Sequence, residues 1–576
     1  MNDIRRTILW VVFGFSLVLL WDQWQIHNGQ KATFFPQPAV KTAAAPGALP
    51  ADASVPTAST PAAAAAGVNQ VPGTPSPAVA VPRERIEVST DVLKLTFDSE
   101  GGSLVRSEFS QHSDMADHSK PFVLLDESRE RVYVAQTGLI GGVNGVALAN
   151  HKTPMTFSGE RSLKDGQDNL NLRFESADIG GVKLVKTYTL QRGSYAISVK
   201  HEVINTGSAA VSPQLYVQLV RDGNKPAGES SFYSTFTGPA IYTEAKKYHK
   251  VEFSDIEKNK VDIDKTADKG YVAMVQHYFA SAWLLADGVA RENFARKVDT
   301  NLYAVGMITP IKDVAPGQSK SVEATLYTGP QEEKKLEALA TGLDLLKDYG
   351  WLAILAKPLF WLLDKLFGLL NNWGWSIMAL VLLLKIAFYW LNAKAYASMA
   401  KMKAINPRIM DMRERLKDNP QQMQQEMMKI YREEKVNPMG GCFPIMVQIP
   451  VFIALYWVLL STVEMRNAPW VGWIHDLSAP DTLFGTIPGI NLPIGLLPIL
   501  MTLTTLLQTA LNPAPPDPMQ AKMMWIMPLL FSVMFFAFPS GLVLYWITNN
   551  ILSIAQQWVI NTRMGVPPQF NLPKFK

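Results

Sequence analysis

A lysine stands inside an otherwise apolar run. Lys385 lies within Ser376–Trp390, SIMALVLLLKIAFYW, about eight residues or ~12 Å of helical rise from the cytoplasmic end of a candidate span over 373–393. Apart from tyrosines, it is the ionisable side chain placed well inside the C-terminal apolar segments. A charge in hydrocarbon costs at least a few kcal/mol, so by default it marks a pathway for polar groups. The competing reading is a lysine whose stem lies on apolar surface while its ammonium reaches the headgroups. Depth alone does not separate the two. Uncharged polar residues recur at a similar depth in other apolar runs: Gln448, then Thr505 and Gln508, then Asn549, Ser553 and Gln556 at helical spacing. Such a level of polar groups suits a wet recess between helices. The alternative is hydrogen bonds from helix to helix, each worth about 0.6 kcal/mol.

Other candidates carry less. His475-Asp476-Leu477-Ser478 has the residue types of a hydrolase triad, but side chains so close in sequence rarely form one. His201, His249 and His277 lack metal-ligand spacing, so neither a metal nor a cofactor is expected. The single cysteine, Cys442, excludes an intramolecular disulfide. It lies too deep in the chain for a lipoprotein cleavage site. Eight methionines between 399 and 439 suit either a promiscuous apolar surface or the seam between two helices. A net charge of +4 over 576 residues argues against a dedicated nucleic-acid binder.

The elements that must position these residues follow from where apolar residues concentrate. Residues 1–26 hold an apolar stretch (8–26) after Arg5 and Arg6, without a close small-x-small cleavage site, and read as an uncleaved anchor with its N-terminus inside. Residues 27–83 are rich in Ala, Pro, Thr and Ser and read as a flexible tether. From 84 to 330 the apolar period becomes two, as in Leu93, Leu95, Phe97 or Leu215, Val217, Leu219, with turns such as Glu100-Gly101-Gly102 between runs. This pattern predicts an antiparallel β-sandwich outside the cytoplasm.

Residues 331–370 connect the two halves. Their segment 351–369 carries Lys357, Pro358, Asp364 and Lys365, and reads as an amphipathic helix in the outer interface, with Trp351 and Trp361 at headgroup depth. Were it to span, the loop 394–441 with its ten Lys/Arg would lie outside, against the positive-inside bias. Residues 371–563 then hold five spans, near 373–393, 443–463, 494–511, 523–538 and 541–562. Loop 394–441 should form a cytoplasmic helical hairpin, about 407–417 and 420–435, each helix opened by Asn-Pro. The tail 564–576 is cytoplasmic. The expected fold is thus six transmembrane helices, one an N-terminal anchor, with a periplasmic antiparallel β-sandwich.

Five stretches resemble the YidC family of membrane protein insertases in its Gram-negative form: 395–416 (AYASMAKMKAINPRIMDMRERL), 435–456 (KVNPMGGCFPIMVQIPVFIALY), 473–478 (WIHDLS), 517–520 (DPMQ) and 538–545 (FPSGLVLY). They cover roughly 345–563 in order. The resemblance implies a groove in the bilayer, open to cytoplasm and lipid, with one arginine; here Lys385 takes that place. Lysine keeps the charge but not the planar fork that grips a carboxylate bidentately. The family's substrate contacts fall on Phe452 and on Tyr545-Trp546, the latter a departure from the usual two tyrosines. Met527 joins them as a greasy face along which an apolar segment slides out.

The resemblance implies a non-enzymatic insertase and chaperone of the bacterial inner membrane. Its expected partners are nascent membrane proteins, membrane lipids, the ribosome, the signal recognition particle receptor, and the SecYEG and SecDF complexes. Two rivals are a secondary transporter, opposed by the absence of acids within the spans and of internal repeats, and an envelope carbohydrate-binding protein acting through the β region.

Overall fold

Period-two sequence becomes strand with one face inward. In strand Asn169–Ser176 the side chains of Leu170, Leu172 and Phe174 are buried, while Asn169, Asn171 and Arg173 are exposed. The structure is a computed structural model that describes residues 54–56 and 83–563, apart from 115–116, 144–145, 227–234, 418, 435–442, 489–491 and 513–517, together with 565 and 570. The N-terminal anchor 1–26, Cys442 and nearly all of the tail 564–576 lie outside the described residues.

Between Arg85 and Pro330 the strands form two large antiparallel sheets. The first runs from Arg85–Ser89 at one edge through Val132–Ile140, Gln214–Asp222 and Leu302–Pro310 to Arg291–Asp299 and the two-residue strand Thr266–Ala267. The second has Ser319–Pro330 near its middle, between Phe279–Leu285 and Ala196–Asn205. One apolar core lies between the inner faces, with Phe97, Phe174, Tyr188, Leu215, Trp283 and Leu326 fully or almost fully buried. Within the 27–83 tether, Ser54–Pro56 departs from a solvated linker: Pro56 is buried and the Ser54 carbonyl is hydrogen-bonded to the first sheet.

Eight helices position the site: α1 (Ala353–Leu370), α2 (Trp373–Ala387), α3 (Tyr389–Arg415), α4 (Pro420–Glu433), α5 (Phe443–Ser461), α6 (Leu496–Leu511), α7 (Pro518–Phe535) and α8 (Ser540–Arg563). Asn372 caps α2, its side-chain oxygen accepting from Trp375 N at 3.2 Å, and Asn419 caps α4 in the same way with Pro420 behind it. The sequence placed a helix start at Pro407 as well. Instead Pro407 lies inside α3, which begins at Tyr389 after a bend of 68° from α2. The apolar stretch continues into the loop, so the helix nucleates there and tolerates the proline. The methionine stripe is largely a seam: Met412, Ile405, Ile409 and Ile430 are buried with Met402, Met423 and Met427 against them, while Met410 and Met428 stay exposed.

Among the described residues no single helix is long and apolar enough to cross a membrane; the bent pair Trp373–Ala387 and Tyr389–Met402 passes that test together. α6, at 16 residues, rises about 24 Å against a hydrocarbon core of about 30 Å. Large apolar side chains nevertheless face outward in bands, such as Leu382, Leu383 and Ile386 on α2 and Ile526, Leu529, Leu530, Phe531 and Val533 on α7. On α1, Trp361 and Leu369 point outward, as do Trp351 and Ile354 at its start, while Ala356, Phe360 and Leu363 are buried. Such a belt is far larger than a soluble surface tolerates and fits a lipid environment.

The β-sandwich is clamped to the helices at the C-terminal end of α5. His277 Nε2 donates to the Leu460 carbonyl at 2.8 Å, Lys347 pairs with Glu464 at 3.2 Å, and Val463 enters the sandwich core. Arg466 donates to the Ser113 carbonyl at 2.7 Å, its guanidinium lying 5.0–5.5 Å from the ring centroids of Phe122, Tyr278 and Phe279.

Candidate functional site

Lys385 sits in the last turn of α2, just before the bend, and its side chain is buried against α8. Its ammonium donates to Ser553 Oγ at 2.8 Å, and Ser553 Oγ in turn donates a hydrogen bond to the Asn549 carbonyl at 2.7 Å. An ammonium has three donors. Among the described residues only this one hydroxyl takes a hydrogen bond from it, and no carboxylate stands within ion-pair distance.

Beside the ammonium is a cavity of about 190 Å³, bounded by α2, the start of α5 and the middle of α8. Val381, Leu384, Phe388, Ile449, Val451 and Phe452 make its apolar wall, and Lys385, Gln448 and Asn549 supply the polar groups. Tyr545 and Trp546 close one side; the Phe452 ring meets Trp546 edge-on at 4.8 Å and tilts against Tyr545 at 5.9 Å. A space of this size, with three polar side chains, has room and partners for several waters. The arrangement can hold a hydrated polar or anionic group beside a fixed positive charge within an apolar bundle.

Of the residues singled out in the sequence, Lys385, Gln448, Asn549, Phe452, Tyr545 and Trp546 share this cavity, and Ser553 is bonded to Lys385. Gln556 is adjacent: its amide donates to the Lys385 backbone carbonyl at 3.1 Å, and its oxygen accepts from Asn392 at 3.3 Å. Thr505, Gln508 and Met527 do not line it. Thr505 Oγ1 accepts from Asn550 Nδ2 at 2.9 Å across the α6–α8 contact, the interhelical bond that was the alternative reading for these polar groups. Gln508 is on the same helix, and Met527 is half-buried on α7. Depth along a helix is readable from sequence, but which neighbour a face meets is not. Sequence reasoning missed Asn392, Asn550 and Gln557. The doublets Asn549-Asn550 and Gln556-Gln557 were the available signal, because adjacent helical residues point about 100° apart and therefore serve two interfaces. Asn550 and Gln557 face α6, the latter donating to the Leu511 carbonyl at 3.3 Å.

The other candidates resolve as structure. Asp476 Oδ1 accepts from both the amide and the hydroxyl of Ser478 at 2.7 Å, a local turn rather than a triad. His201 Nε2 lies 3.0 Å from Thr137 Oγ1, and no group of three metal-ligating side chains exists among the described residues. The sandwich holds a buried lysine of its own, which the sequence did not flag. Lys186 Nζ donates to the carbonyls of Gly101 at 2.6 Å and Thr137 at 2.7 Å, and burial pushes its ammonium down to about 7.

Comparison with known proteins covers both halves. Residues 85–362 match the family described as the YidC periplasmic domain, and residues 363–566 match that of the 60Kd inner membrane protein. The chain is 52% identical over 570 residues to the membrane protein insertase YidC of Janthinobacterium sp. (strain Marseille), covering 98% of this chain and all of the relative. It is 54% identical over 570 residues to that of Cupriavidus metallidurans, covering 98% of each. A crystal structure of an active YidC insertase with its first transmembrane domain resolved is 18% identical, with a TM-score of 0.37, over 83% of this chain and 92% of that one.

These matches and the two-part fold define an inner-membrane protein with a periplasmic β-sandwich domain. The chain belongs to the YidC family, and its function is the insertion of membrane proteins, which is not an enzymatic activity.

Proposed function

We propose that the cavity beside Lys385 is the inner end of a cytoplasm-facing groove through which the polar flank of a nascent membrane protein enters the bilayer. The observation that carries this reading is the ammonium itself: held by one hydroxyl, without a counter-ion among the described residues, it faces a space that can hold water. An unsatisfied polar group costs several kcal/mol in hydrocarbon. A hydrated recess shortens the apolar distance such a group must cross, and the charge favours acidic flanks over basic ones. The apolar segment then leaves past Phe452, Tyr545 and Trp546, with Met527 on α7 further along the path. Burial of its roughly 20 residues in lipid makes the process downhill without ATP.

In this reading α2, α5, α6, α7 and α8 are five spans, residues 1–26 supply a sixth, and α1 lies in the outer interface. Both termini are cytoplasmic, as the positive-inside bias favours. The α3–α4 hairpin, with Arg408 tied to Glu433 and Glu434 at 2.8 and 2.9 Å, is a compact cytoplasmic platform for the ribosome and the signal recognition particle receptor. SecYEG and SecDF are the expected membrane partners. The test is insertion into proteoliposomes by Lys385→Glu. Substrates with acidic translocated tails should lose far more than neutral ones; equal loss for both removes the electrostatic role.

A further inference from the structure

The first sheet of the sandwich has a second buried face. Its strand Gln214–Asp222 turns Leu215, Val217 and Leu219 into the core between the sheets, so Gln218 and Val220 point the other way. On that outer face Gln136, Gln218, Gly306 and Phe294 lie in one row across four strands, and Val134, Val220, Ala304 and Arg296 in the next. Val134, Val220 and Ala304 form a small apolar cluster with Val105, against which Phe294 packs. A Cβ at Gly306 would collide with the Phe294 ring and with the Val217 carbonyl, so glycine there lets the ring lie across the sheet.

Two polar hooks stand beside this patch. Gln218 is fully buried, and its amide donates to Gln136 Oε1 at 2.9 Å and to the Ser54 carbonyl at 3.2 Å. Arg296 Nη2 donates to the same Ser54 carbonyl at 3.0 Å, with its guanidinium 5.4 Å from the centroid of the Phe294 ring. Pro56 is buried two residues on. Gln218 Oε1 and Arg296 Nε have no partner among the described residues, so the site offers one further acceptor and one further donor for a peptide backbone. A carbonyl gripped by an amide and a guanidinium, followed two residues on by a buried proline, is how an extended proline-containing peptide is held without helix or sheet pairing.

We propose that this outer face is a peptide-docking site whose occupant is the chain's own tether at Ser54-Val55-Pro56. The tether is then two segments rather than one. Residues 27–53 alone separate the anchor from the pin, so the farthest the anchor can stray from the sandwich falls from about 200 Å for residues 27–83 to about 95 Å.

The test uses the full chain in nanodiscs, with Cys442→Ser and spin labels at Thr57→Cys beside the pin and Lys200→Cys on the second sheet. One narrow distance population is expected. Replacing Ser54, Val55 and Pro56 by glycine should broaden it at least twofold while the sandwich melts at the same temperature, and Arg296→Gln should broaden it partly. A broad distribution in the unaltered pin, or a width unchanged by the triple glycine, overturns the proposal.

Discussion

Two buried lysines, one in each half of the molecule, are held in opposite ways. Lys186 in the sandwich is fully enclosed, and two carbonyls accept hydrogen bonds from it at 2.6 and 2.7 Å. Lys385 in the helical bundle is 5% exposed, bonded to one hydroxyl, and borders a cavity of about 190 Å³. The first is a strut, its N–H groups satisfying two buried backbone carbonyls. The second has donors without a partner among the described residues, next to open space. Burial of a charge is therefore weak evidence for a site; burial next to room and spare hydrogen-bonding capacity is stronger.

The largest effect that can break this contrast is on stability. Lys186→Ala leaves two buried carbonyls unpaired, each costing about 1–3 kcal/mol, besides the void. At about 2–4 °C per kcal/mol for a domain of this size, the sandwich should melt about 10 °C lower by calorimetry. Insertion per folded molecule should be unchanged. Lys385→Ala should do the reverse: a melting point within about 2 °C of the parent, and slower insertion of acidic tails. An attraction across ~8 Å at an effective dielectric near 20 is about 2 kcal/mol, so the loss in rate should exceed about tenfold. Equal destabilisation by the two substitutions would erase the distinction.

A second measurement sharpens how the halves are joined. Arg466→Ala removes the bond to Ser113 and the contacts with three rings, at a cost of about 2–3 kcal/mol. Limited proteolysis should then cut between sandwich and bundle many times faster, with each half's own melting unchanged. A proteolysis rate equal to the parent's would show that His277 and Lys347 hold the joint alone.

The pH dependence of the sandwich is a smaller effect. Burial puts the Lys186 ammonium near 7 in the fold, well below its ordinary value of 10.5. Between those limits the unfolded chain binds a proton that the fold does not. Stability should thus rise with pH from about 7 toward 10.5, by at most about 1.4 kcal/mol per unit, and be flat below 7 as far as this group is concerned. Denaturant titrations at pH 7 and 9 should show this rise in the parent and lose it in Lys186→Met. An identical rise in both would assign it to other groups. The smallest expected effect belongs to Thr505→Val, which removes one interhelical bond to Asn550 and should cost about 0.6 kcal/mol without changing insertion.

How much of this was legible depended on which coordinate the sequence encodes. Alternation fixes which face of a strand is buried, so the sandwich and its core residues could be read directly. Depth along a helix is also encoded, and it put Lys385, Gln448 and Asn549 at one level, where they now share a cavity. Rotation about the helix axis is not encoded once a segment is apolar all round. Thr505 and Gln508 do not line that cavity, and Thr505 is bonded to Asn550 instead. Lys186 was hidden because strand Val182–Gln191 alternates imperfectly, and a lysine in such a run reads as solvent-facing. The docking of Ser54–Pro56 could not be anticipated, because a low-complexity segment gives no period and its partner residues lie some 160–240 positions away.

The most direct test of the account is whether position 385 is wet from the cytoplasmic side. In a Cys442→Ser background, Lys385→Cys in inside-out vesicles should react with a membrane-impermeant maleimide, and bound nascent chains should slow that reaction. No reaction with the impermeant reagent, together with ready reaction with a lipid-soluble one, would place the side chain among acyl chains and contradict the groove.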